Sequence, residues 1–77
     1  MVTTLNYAEA VEYIWTHSRA IRDWYTNEYK FNLNNYSRSE YRTSGLGAPG
    51  DIISAIIADG ITDGIINENV DGVYRTV

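Results

Sequence analysis

The chain has 77 residues, no cysteine and a formal net charge of −4. That length allows one domain, spanning residues 1–77, with one small core. The missing cysteines exclude disulfide staples and thiolate zinc sites, and the acidic balance weighs against tight binding to phosphate backbones. The charge is uneven. Residues 51–77 hold Asp51, Asp59, Asp63, Glu68 and Asp71 against Arg75 alone, whereas acids and bases cancel in residues 1–50. MVTTLNYAEA lacks the basic and apolar regions of a secretory leader. Asp59 and Asp63 interrupt the most apolar stretch, residues 52–66, so no membrane span is expected and the chain reads as cytoplasmic.

Residues 6–31, NYAEAVEYIWTHSRAIRDWYTNEYKF, have the spacing of one long amphipathic helix. Asn6 is suited to cap it, and Glu9, three positions on, can reach back to the Asn6 N–H. Tyr7, Val11, Ile14, Ile21, Tyr25 and Tyr29 recur at helical spacing, flanked by Tyr13, His17, Ala20 and Trp24. The opposite row is polar and contains an Arg19–Asp23 pair at i, i+4, a weak surface contribution. A helix of about 24 residues would run roughly 36 Å. Propensity is poor at Thr16-His17-Ser18 and at Thr26-Asn27, so the helix can bend or stop at either place.

Residues 30–36, KFNLNNY, read as a helix exit and loop. Ser37-Arg38-Ser39-Glu40 is a second capping box, predicting a short helix over 38–44 that Gly45 stops. Residues 45–50, GLGAPG, read as a linker or tight turn. Asp51 then caps a predicted Ile-rich helix over 52–66, with Ile53, Ile57, Ile61 and Ile65 at every fourth position. Gly60 and Gly64 lie on one face of it, and each costs about 1 kcal/mol inside a helix. They mark either an interruption or a close approach of another backbone. The pattern also allows a C-terminal β-hairpin. A two-residue turn at Asp71-Gly72 would set Val70 opposite Val73, Glu68 opposite Arg75 and Ile66 opposite Val77. The expected fold class is mainly α, a small helical domain.

Catalytic groups are scarce. His17 is the single histidine and lies beside Tyr13 and Trp24, where a packed imidazole is the ordinary outcome. Asp59 and Asp63 could share a proton or an ion, but a solvated acidic face accounts for them. Two stretches, from Asn67 and from Asp59, partly match a calcium loop. The first lacks the bidentate carboxylate at position 12, and the second has Ile61 and Val70 where ligands belong. No enzyme, metal or cofactor is expected.

The middle of the chain interleaves cations with rings. Arg19, Arg22, Lys30, Arg38 and Arg42 interleave with Tyr25, Tyr29, Tyr36 and Tyr41; of these, Arg19, Arg22, Arg38, Arg42, Tyr29, Tyr36 and Tyr41 are the contact candidates. Tyrosine and arginine are common anchors of protein interfaces, so these residues, with Asp59 and Asp63 as an acidic counterpart, are the candidate partner-binding set. The expected function is a non-enzymatic protein-binding module, an inhibitor or adaptor acting on a larger complex. The same rings and arginines suit a nucleic-acid binder; this is the second reading, opposed by Asp23, Glu28 and Glu40. The Ile-rich stripe also suggests a homodimer. In its shortness, acidity, tyrosine content and lack of cysteine, the chain is similar to many small virus-encoded proteins that bind and block a host factor.

Overall fold

The computed structural model describes residues 3–43, 45, 48–68 and 73–77. The fold is mainly α. Three helices, α1 (Tyr7–His17), α2 (Arg19–Tyr29) and α3 (Pro49–Thr62), pack with a small antiparallel sheet of β1 (Thr4–Leu5), β2 (Ile66–Glu68) and β3 (Tyr74–Thr76). The buried side chains form one cluster, in which Val11, Ile14, Ile53, Ile56 and Ile66 are fully enclosed.

The single long helix expected over 6–31 is two helices. Its start is as predicted: Asn6 Oδ1 accepts from Glu9 N–H and the Glu9 carboxylate accepts from Asn6 N–H. The break falls at Ser18, within the first weak turn. Ser18 is extended (φ −111°, ψ 97°). Its N–H closes α1 on the Ile14 carbonyl and its carbonyl opens α2 by accepting from Arg22 N–H. Its hydroxyl accepts from Ile21 N–H at 3.2 Å. One serine thus ends one helix and caps the next. The Arg22 guanidinium also donates back to the Trp15 and Thr16 carbonyls, satisfying acceptors that the break exposes.

The break re-aims the apolar stripe. In α1, Ala10, Val11, Ile14 and Trp15 are buried. In α2 only Ile21 and Tyr25 are, and Ala20 and Trp24 face solvent. Lys30 then turns left-handed (φ 54°) and sends the chain inward. Phe31 enters the core edge-on to Trp15, and Tyr36 stacks on it.

The predicted helix over 38–44 is a single 3-10 turn, Arg38–Glu40. The Glu40 carboxylate does take the Ser37 N–H and hydroxyl. The turn ends because the Thr43 hydroxyl donates to the Glu40 carbonyl and Tyr41 goes into the core.

Helix α3 begins earlier and ends earlier than predicted. Pro49 is its first residue, where the missing N–H and fixed φ suit it. Ala48 occupies the cap, and Asp51 lies in the first turn, where its charge favours the helix dipole. Gly64 stands outside the helix at φ +76°, with Gly64 N–H on the Ile61 carbonyl and Ile65 N–H on the Gly60 carbonyl. That bond pair is a common left-handed ending that glycine permits. Gly60 is a close approach, but of a side chain rather than of the expected backbone: a Cβ there would come within 2.3 Å of Ile14 Cδ1. All seven isoleucines of residues 52–66 are buried or half-buried.

The C-terminal strands do pair, one residue out of the expected register: Ile66 faces Thr76, Asn67 faces Arg75 and Glu68 faces Tyr74. The slip puts Ile66, Tyr74 and Thr76 on the inner face and leaves Arg75 and Val77 outside. The predicted Asp71-Gly72 turn lies outside the described residues. The sequence reading missed β1. Thr4 and Leu5 pair with Arg75 and Tyr74, which makes β3 the central strand. Thr3 N–H donates to the Thr76 hydroxyl at 2.8 Å and Thr76 N–H to the Thr3 carbonyl.

Candidate functional site

Among the described residues, two hollows on different elements bring candidate residues together. The first is a groove of about 290 Å³ between α2 and α3, lined by Ala20, Ile21, Trp24, Asp59 and Asp63. Helix α2 supplies its apolar wall. Because the core takes Ile21 and Tyr25, Trp24 stands outside with 54% of its surface in water. Helix α3 and its C-terminal cap supply the opposite wall, with Asp59 in the last turn and Asp63, four residues on, as the cap.

Tyr25 ties the two walls together. Its hydroxyl donates to Asp59 Oδ2 at 2.5 Å. Burial, followed by the hydrogen bond and charge of Asp59, holds the hydroxyl proton well beyond the usual tyrosine range. The bond holds one oxygen of Asp59, a residue that lines the groove. Tyr29, one turn on, stacks on Tyr25 with ring centroids 5.7 Å apart and is 56% exposed. Among the described residues no cation pairs with Asp59 or Asp63.

The second hollow, about 410 Å³, lies at the start of α1 and is lined by Asn6, Tyr7, Ala8, Arg38, Ser39 and Arg42. Its cations are engaged within the chain. Arg38 donates two bonds to the Glu12 carboxylate, one of them Nε to Oε2 at 3.1 Å. The Arg42 guanidinium lies 3.9 Å from the centre of the Tyr7 ring. The Tyr41 hydroxyl reaches the same Glu12, and its pKa is raised by burial first and by Glu12 second.

The structure therefore divides the predicted partner-binding residues. Asp59 and Asp63 share the first hollow; Arg38 and Arg42 share the second, and Tyr41 is buried in the core. Arg19 is at the surface with Asp23, 3.6 Å away. Arg22 caps the end of α1, and Tyr36 is half-buried on Phe31. Trp24 is the residue that sequence reasoning left out, because continuous helical periodicity assigns it to the flank of the buried stripe. His17 stacks on Tyr13 at 4.1 Å, with Nδ1 2.9 Å from the Tyr13 carbonyl oxygen, as a helix-end imidazole. Among the described residues no group of three or more histidines or carboxylates could hold a metal ion. The calcium register from Asp59 begins inside α3, and positions 3, 5 and 6 of the one from Asn67 (residues 69, 71 and 72) lie outside the described residues. No described helix is long and apolar enough to cross a membrane. No protein-family model, curated protein or solved structure matches the chain.

Proposed function

We propose that this chain is a small non-enzymatic protein-binding module, an inhibitor or adaptor that docks on a larger protein through the face built by α2 and α3. The observation that carries the reading is Trp24. A half-exposed indole over a groove, on a chain whose isoleucines are covered, is costly to leave in water and suited to anchoring a contact. Tyr29 extends the ring surface and Asp59 and Asp63 supply polar, oriented neighbours.

The nucleic-acid reading has less support. Phosphate affinity grows with the number of uncompensated cations, and Arg38 is neutralised by Glu12 and Arg19 lies beside Asp23. Arg22 and Arg42 keep their charge, but helix-end carbonyls and the Tyr7 ring fix where they point.

Affinity capture from a native-source lysate tests the proposal, using the wild-type chain and Trp24→Ala in parallel. Circular dichroism first establishes that both are folded. A specific protein, or a second copy of this chain, retained by wild type and lost with Trp24→Ala is expected. Capture that is absent, or indifferent to Trp24, contradicts the reading.

A further inference from the structure

We propose that the α2–α3 groove receives the side chain of an arginine from a basic segment of the partner. The inference rests on the protein-binding reading above and adds the chemistry of the occupant. Three observations converge. The groove has an aromatic wall on one side, where Trp24 is half exposed. It has two carboxylates on the other, one of them oriented by the Tyr25 hydroxyl. Neither carboxylate pairs with a cation among the described residues, although the first half of the chain holds five lysines and arginines.

A guanidinium fits this arrangement as an ammonium does not. It is flat and weakly hydrated, so it stacks on an indole face. Its N–H groups lie in the plane of the stack and point outward, towards carboxylates at the rim. The charge of residues 51–77 favours approach of a basic segment from a distance. An apolar occupant would strand Asp63, and the Asp59 oxygen that Tyr25 does not hold, without water or partner, which costs free energy. An acidic occupant is repelled.

The test uses a blocked pentapeptide with one arginine flanked by glycines, and the same peptide with lysine. Both are titrated into the full chain at physiological salt while the two indole N–H resonances are followed by NMR. The arginine peptide should move the Trp24 indole saturably and leave Trp15, which is buried, unmoved. Asp63→Asn should weaken binding at least about threefold, in the range of an exposed charge contact. Asp51→Asn removes the same charge from the other end of α3 and should change nothing measurable. The lysine peptide should bind more weakly. Equal binding of the two peptides, an Asp51→Asn effect as large as that of Asp63→Asn, or no Trp24 shift would each overturn the assignment. If the peptide fails while lysate capture still depends on Trp24, the arginine inference falls and the contact face stands. If capture is also indifferent to Trp24, both fall.

Discussion

Tyr25 is buried as a ring and committed as a hydroxyl, and the second role makes a pH prediction. Its proton is held more tightly in the folded chain than in the unfolded one. The Tyr25–Asp59 bond therefore contributes fully below the unfolded tyrosine pKa of about 10, and its contribution declines as pH climbs from there towards the raised folded value. Tyr25→Phe should cost about 1.5 kcal/mol at neutral pH, the low end expected for a part-buried hydrogen bond to a charged acceptor. That gap should narrow above about pH 10, which urea unfolding of both chains across the alkaline range would show. A gap constant with pH would mean that the hydroxyl proton is not what holds the bond. Gly60 is constrained from the other side. Alanine ordinarily gains about 1 kcal/mol over glycine inside a helix, yet here its methyl would collide with the fully buried Ile14. Gly60→Ala should therefore lose about 1–2 kcal/mol. The double variant with Ile14→Val, which removes the colliding Cδ1, should recover part of that loss in denaturant melts.

At the scale of elements, the capping signals were legible and the geometry between them was not. Asn6 and Glu9 form the reciprocal bonds that their spacing implies, the Glu40 carboxylate takes the Ser37 N–H as its spacing implies, and the Ile-rich segment is a helix. The break at Ser18 was visible only as a weak turn. Periodicity continues in phase through it, so nothing in the pattern says that Trp15 is buried and Trp24 exposed. That exchange moved the candidate site from the arginine–tyrosine stretch to the α2–α3 groove. The start of α3 was misplaced because Pro49 and Gly50 read as breakers, although proline in a first helical turn starts a helix. The strand register depended on β1, since Thr3–Leu5 is too short to signal a strand and takes its order from β3. Ser18→Ala removes the cap of α2 and should cost about 1 kcal/mol without fusing the helices, because Arg22 still holds the end of α1. Backbone chemical shifts that remain non-helical at position 18 would support this; helical shifts would contradict it. Thr76→Val removes the hydroxyl that takes the Thr3 N–H. It should lose about 1–2 kcal/mol by leaving a half-buried donor without its acceptor, with the loss of protection in hydrogen exchange concentrated in β1.

At the scale of the molecule, a core built from one cluster of side chains in 77 residues leaves little stability to spare. The fold is held at both ends: α1 and α3 pack through Ile14 against Gly60, and the sheet ties the first described residues to the last. Against that economy, an indole and a phenol ring standing half in water on the α2 face are the part of the molecule that packing does not require. The most direct measurement is the urea unfolding free energy of Trp24→Ala against wild type. A ring kept for contact rather than for packing predicts a change within about 0.5 kcal/mol, as for surface substitutions away from structural features. A loss above about 2 kcal/mol, in the range of core truncations, would make Trp24 part of the scaffold and contradict the contact face.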